Sequence, residues 1–155
     1  MLSPSEFKAS MALFASGITV ITWNENDNIQ GITVSAFSSL SLNPPLVLFC
    51  IDKSAYVHDM MCAQSHLAVN ILASSQTELA WRFAGADRSN LEEHICRNNA
   101  NHLPFLKDAL CNLNVAVRDI LPGGDHSIFV AEVLESVRHP ERKPLLYHNS
   151  TIFSA

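Results

Sequence analysis

Glycine is scarce in this chain, five in 155 residues, and neither GxGxxG nor a GxxxxGKS/GxxxxGKT run occurs. The two commonest loops that cradle phosphate with backbone N–H groups are thereby excluded, so a nucleotide bound here is held by another geometry. A GxSxG nucleophile elbow and an HExxH helix are missing too, and the Asp and Glu residues are scattered rather than paired. Hydrolase chemistry of those kinds has no carrier.

Charge is also in short supply. Only 16% of residues are charged, against roughly 25% in ordinary soluble proteins, which implies that extra apolar surface is covered in a homo-oligomer. Ten Lys plus Arg without a dense cluster, and a net charge of −5, give no electrostatic footprint for nucleic acid. The longest apolar runs, such as Pro44 to Ile51, fall short of the ~20 residues that cross a bilayer, so no membrane partner is expected. The start, Met1-Leu-Ser-Pro-Ser-Glu, has no basic leader-like region, and the expected location is cytoplasmic. No CxxC pair exists among Cys50, Cys62, Cys96 and Cys111, and three of these lie in apolar or amphipathic stretches. They read as free, packed thiols. Metal binding by Cys96 with His94 and His102 is the alternative there, but that spacing matches no zinc pattern.

What is present reads mainly as strand. Ser3-Pro4-Ser5-Glu6 caps a short amphipathic helix expected over Phe7 to Ala15, which Gly17 ends. The β-branched runs Ile18 to Trp23 and Gln30 to Leu40, joined by a polar turn at Asn24 to Asn28, predict a hairpin. After Asn43-Pro44-Pro45, the continuous run Leu46 to Ile51 predicts a fully buried strand, followed by a helix over Ser54 to Ala63. Leu67 to Leu72 is another buried strand, and Ser75 with Glu78 forms a capping box for a helix to Phe83. Gly85 to His102 is a polar excursion with one helical turn. Asn112 to Ile120 and Ser127 to Val137 flank Pro122-Gly123-Gly124 as long strands, and Leu145 to Tyr147 is a last short one. With no internal repeat or linker, this order predicts one domain over 1–155, an antiparallel barrel with a few peripheral helices rather than a doubly wound sheet.

Four segments in this order, FKASMALFASGITVITW (Phe7 to Trp23), GITVSAFSSLSLNPPLVLFCI (Gly31 to Ile51), LAVNILASSQTELAWRFAG (Leu67 to Gly85) and GGDHSIFVAEV (Gly123 to Val133), with PLLYH (Pro144 to His148) after them, resemble the short-chain flavin reductases. The resemblance covers nearly the whole chain. It implies a mainly β, antiparallel Greek-key split barrel of the FMN-binding kind. It further implies an NAD(P)H:flavin oxidoreductase that reduces FMN or FAD with NADH or NADPH and supplies a partner flavin-dependent monooxygenase. A homodimer is expected.

By the same resemblance, Thr33, Val34, Ser35 and Ala36 run past the flavin ring, where small side chains let the backbone approach a flat group closely. Asp52-Lys53-Ser54 resembles a phosphate-holding turn at a helix start, with Lys53 as the positive charge and Ser54 and free N–H groups as donors. Ala55 and Val57 stand where relatives often carry further hydroxyls. Gly124-Asp125-His126 would lie beside flavin and nicotinamide, with His126 as the catalytic residue, positioning a carboxamide or favouring the reduced flavin's charge. Without the resemblance, His126 reads as an ordinary turn residue.

Other residues stay open. Asp125 either orients His126 or caps the turn, the capping role ranking first. Asn70, inside an apolar strand, needs a partner, either flavin or backbone. Trp81 and Phe83 read as core or dimer surface, with Phe83 a candidate for the flavin border. The tail Asn149 to Phe153 and the aromatic-poor stretch Gly85 to His102 depart from the family pattern. The alternative function is a non-enzymatic flavin- or haem-binding module, for storage or sensing, on the same barrel; for an oxidase of the pyridoxamine-phosphate type the expected basic phosphate-binding residues are sparse.

Overall fold

The computed structural model describes residues 1–85 and 87–155. Its elements are α1 (Pro4–Met11), β1 (Ser16–Gly17), β2 (Thr19–Glu25), β3 (Asn28–Val34), β4 (Phe37–Leu42), β5 (Pro45–Asp52), α2 (His58–Cys62), β6 (His66–Ile71), α3 (Thr77–Ala84), β7 (Ile95–Cys96), β8 (Phe105–Leu106), β9 (Cys111–Gly123), β10 (His126–Arg138), β11 (Leu145–His148) and β12 (Thr151–Ser154). Seven antiparallel strands in the order β3-β2-β6-β9-β10-β5-β4 form the main sheet, and β1-β11-β12 form a small one.

The main sheet curls around one apolar interior. Phe49 of β5 and Phe129 of β10 are register partners whose rings stack with centroids 5.2 Å apart. Ile21, Trp23, Val69, Val115 and Met61 pack in the same cluster. Each fully buried side chain of this size stabilises the fold by about 1.5–3 kcal/mol. A second cluster lies on the outer face of β2 beneath α3, where Val20, Leu72, Leu79, Phe83 and Leu145 meet. Strand β2 is thus buried on both faces, which is why its sequence is apolar without alternation.

Several boundaries differ from expectation, each for a local reason. The first helix is Pro4–Met11 instead of Phe7 to Ala15, because the Ser3 hydroxyl accepts the Glu6 N–H while the Glu6 carboxylate accepts the Ser3 N–H, fixing the start with Pro4 in the first turn. None of its residues is buried. Strand Gln30 to Leu40 is broken: β3 stops at Val34 and β4 starts at Phe37, with Ser35 and Ala36 between them. Strand β5 alternates instead of being fully buried, with Val47, Phe49 and Ile51 inside. The expected helix Ser54 to Ala63 is confined to His58–Cys62, since residues 53–57 form turns.

The Ser75 and Glu78 capping box does not form. Instead the Gln76 side chain accepts the Ala73 N–H and donates to the Lys107 carbonyl. Hairpin β2-β3 turns on Asn26-Asp27, both at positive φ, the pattern of a type I′ turn. The same device at Asn149-Ser150 joins β11 to β12, a strand that no expectation included. Among the described residues no helix is long and apolar enough to cross a membrane.

Candidate functional site

The β9-β10 hairpin closes on two residues, Gly124-Asp125, between the register partners Gly123 and His126. Gly124 sits at φ +70, a conformation that a side chain strains, so the glycine is needed for the turn itself. His126 opens β10 and pairs with Asp52, the last residue of β5. Its Nδ1 lies 2.8 Å from Asp125 Oδ1. Asp125 therefore holds the His126 ring, contrary to the capping role ranked first from sequence. With Nδ1–H directed at the carboxylate, a neutral ring presents Nε2 as an acceptor and a protonated ring presents it as a donor. That nitrogen has no protein partner among the described residues.

Asp52, Lys53 and Ser54 meet this hairpin from the other side. The Lys53 N–H donates to the Asp125 carbonyl at 2.9 Å, and Lys53 Nζ donates to the Gly124 carbonyl at 2.7 Å. Both the N–H and the hydroxyl of Ser54 donate to Asp52 Oδ1, each at 2.8 Å. These bonds hold the Asp52 carboxyl below the usual range, with smaller help from the charges of His126 and His58. The expected helix start at this turn is absent, since α2 begins only at His58. A helix dipole is therefore not what this turn offers.

Sequence reasoning missed His58. Its side chain is mostly buried, with Nδ1 at 2.9 Å from Asp59 Oδ1 and Nε2 at 2.9 Å from Ser127 Oγ, so it braces the residue that follows His126. A His at the start of a five-residue helix carries no sequence signal for that role.

The break between β3 and β4 opens a cleft of about 580 Å³, lined by Ser35, Ala36, Phe37 and Cys50 on one side and by Phe7, Met11 and Phe14 on the other. The Ala36 carbonyl accepts the Cys50 N–H, which seats the break against β5. His126, on β10, pairs with Asp52, which lies two residues beyond Cys50 on β5, a rise of about 7 Å along that strand. A second cavity of about 370 Å³, sharing Ser35, Tyr147 and Ser150, is lined by Thr33, Ala80 and Trp81. Of the four residues expected beside a flat ring, Ser35 and Ala36 line the main cleft and Thr33 the second. The Thr33 hydroxyl donates to the Ala80 carbonyl, and Val34 is buried in the core. A narrow floor of Ser and Ala, walled by aromatic and thioether side chains, fits a flat heteroaromatic ring such as a flavin's.

Asn70 resolves as structural. It donates to the Val20 carbonyl and Thr22 hydroxyl and accepts from the Leu106 N–H and the Asn112 amide, all at 2.8–3.0 Å. Phe83 is core, and Trp81 is exposed. The four cysteines carry no disulfide, with Cys96 exposed and the others half-buried.

The topology and the clefts define the class, an antiparallel split barrel with a ring-sized site at the break in its edge. Residues 11–155 match the Flavin reductase like domain, and the chain belongs to that family. Among its relatives, the reductase component of 4-nitrophenol 4-monooxygenase/4-nitrocatechol 2-monooxygenase of Rhodococcus opacus is 38% identical, over 87% of this chain and 72% of the relative. The NADH-dependent FAD reductase of Streptomyces globisporus is 33% identical, over 86% and 76%. The solved structure of Streptomyces globisporus NADH:FAD oxidoreductase with NAD and FAD fragments superposes with a TM-score of 0.90 at 29% identity, over 98% of this chain and 94% of that one.

Proposed function

We propose that this chain is an NAD(P)H-dependent flavin reductase that reduces FMN or FAD with NADH or NADPH and hands the reduced flavin to a flavin-dependent monooxygenase. The observation that carries this reading is one juxtaposition: a cleft floored by Ser35 and Ala36, with His126 on β10 paired to Asp52 at the end of β5 and its ring held by Asp125. When bound, the cofactors supply the chemistry, a hydride passing from the nicotinamide to the flavin.

The protein's task is alignment. Ser35 and Ala36 let the backbone come close to the flavin face, with Thr33 and Val34 shaping the strand behind them. Lys53 holds the Gly124-Asp125 turn, and Ser54 holds the Asp52 carboxylate beside it, where the phosphate end of the flavin is placed. His126 Nε2 accepts from a carboxamide N–H when neutral, or sets a positive charge beside a reduced flavin when protonated. Stacking in register is where most of the rate comes from, and no obligatory acid or base is required.

The active unit is a homodimer, and its location is cytoplasmic. Support for the dimer comes from exposed apolar residues outside the cleft lining, Leu13 after α1 and Leu42 on the edge strand β4.

The test is oxidation of NADH or NADPH by purified protein with catalytic FMN, FAD or riboflavin. A rate above the flavin-only control supports the reductase. Flavin binding with untouched nicotinamide would turn the reading toward a non-enzymatic flavin module.

A further inference from the structure

The segment that leads from β5 into α2, residues 53–58, reaches the β9-β10 hairpin at two points. At its start Lys53 donates to the Gly124 and Asp125 carbonyls of the turn. At its end His58 places Nε2 2.9 Å from Ser127 Oγ. His126 stands between these points, after the turn and directly before Ser127. Successive side chains of a strand point to opposite faces. Ser127 accordingly lies on the core face, paired in register with the buried Ile51, while His126 shares the outer face with its partner Asp52.

The bond to His58 is the one side-chain bond that the Ser127 hydroxyl makes among the described residues. A buried hydroxyl is costly to leave unpaired, so the two side chains fix each other. The imidazole is oriented from its far end, where Nδ1 lies 2.9 Å from the exposed Asp59 carboxylate. In the neutral ring Nδ1 therefore carries the proton, and Nε2 accepts the Ser127 O–H. The footing is rigid: Val57 and Met61, on either side of His58 in α2, are buried in the main core. Cys62 sets its sulfur 3.8 Å from Nε2.

Carboxylate, imidazole and hydroxyl stand here in the order of a hydrolytic triad. Ser127 is only 7% exposed, however, and lines neither of the two clefts, so its hydroxyl meets no substrate. What the arrangement does reach is the backbone of β10 one residue after His126. The Asp52 carboxylate also feels both His126 and His58, whose charges favour its ionised form. The remaining charged groups about the hairpin end, Asp125 and Lys53, are engaged with His126 and Gly124.

We propose that His58 is a positioning residue for His126, acting through its bond to Ser127 to fix the start of β10 so that the His126 ring stands in register with the reacting cofactors. The proposal rests on the reductase reading above. Lys53 holds the turn that precedes His126, and His58 holds the residue that follows it. A histidine that opens a strand is thereby pinned on both sides along the chain, and its own ring is left free to meet the cofactors through Nε2.

The experiment compares the wild type with His58→Leu, His58→Gln, Ser127→Ala and the double variant His58→Leu/Ser127→Ala. It reads flavin reduction by NADH in anaerobic stopped flow, the flavin dissociation constant, and the His126 ring signals in proton–nitrogen NMR of the flavin-free protein. Leu keeps the apolar bulk and loses both ring nitrogens, whereas Gln sets an amide near the place of Nε2. His58→Leu slows hydride transfer by about 5- to 10-fold with flavin affinity changed by less than about threefold, and His58→Gln recovers the rate to within about twofold of wild type. Ser127→Ala matches His58→Leu, and the double variant is no slower than either, as two residues acting through one bond require. The His126 signals move in His58→Leu and Ser127→Ala and return in His58→Gln. An unaltered rate in His58→Leu, equal losses in the Leu and Gln variants, losses that multiply in the double variant, or unmoved His126 signals overturn the proposal. If His58→Leu does not fold, Ser127→Ala decides the point, and a wild-type rate there overturns it. If the wild type reduces no flavin, the reductase reading fails, while the His126 signals, recorded without flavin, still decide whether His58 and Ser127 fix that ring.

Discussion

Lys53 Nζ donates to the Gly124 carbonyl at 2.7 Å, tying the end of β5 to the turn that carries His126. The backbone N–H of the same residue holds the Asp125 carbonyl. Lys53 thus acts on the hairpin rather than as a free surface charge. Lys53→Met is expected to slow flavin reduction by about 3- to 10-fold with little change in flavin affinity, and Lys53→Arg to keep most of the rate. Rapid kinetics and flavin titration check this. Lost FMN affinity with unchanged riboflavin affinity would make Lys53 a phosphate ligand instead.

Gly31 has no room for a side chain. A Cβ there would lie 2.7 Å from two Phe83 ring carbons and 2.9 Å from the Ile21 carbonyl. Gly31→Ala should therefore destabilise the fold by about 1–3 kcal/mol through overpacking, measured by denaturant unfolding. A cost near zero would mean that α3 shifts freely on β3.

Asn70 uses its whole hydrogen-bonding capacity inside the barrel wall, linking β2, the segment before β9, and β9 itself. Asn70→Ala leaves several buried groups unpaired and should lower stability by about 3 kcal/mol. Flavin affinity of the folded fraction should be unchanged. Selective loss of that affinity would return Asn70 to the binding site.

Asp52 sets a pH dependence whose sign can be worked out. Its carboxyl is lowered by the Ser54 bonds first and by His126 and His58 next. A depressed folded value means stabilisation that is present above the ordinary aspartate range and lost as pH falls through the lower folded value, that is, below about pH 4. Ser54→Ala should move the Asp52 carboxyl titration upward in an NMR pH series. No movement would show that the Ser54 hydroxyl is immaterial to it.

Much of the barrel was legible because buried strands announce themselves: ITVITW, LVLFCI and LAVNIL all lie in the main sheet. The break at Ser35-Ala36 was not, since neither residue signals a strand end; there the Phe37 N–H turns back to the Ser35 carbonyl while the Ala36 carbonyl meets Cys50. Strand β12 escaped notice because its Asn149-Ser150 turn lacks the glycine that usually marks a two-residue hairpin. Gly124-Asp125 was readable as a turn, but the resemblance alone singled out His126. His58 owes its position to a partner distant in sequence, Ser127, which no local pattern reveals.

The central claim is that His126 aligns two cofactors rather than building the fold or holding the flavin. Anaerobic stopped-flow reduction of protein-bound flavin by NADH, comparing wild type with His126→Ala, tests it most directly. The expected hydride-transfer rate of the variant is lower by about 10- to 100-fold, with the flavin dissociation constant changed by less than about threefold. Equal losses in rate and affinity, or an unaltered rate, would contradict it.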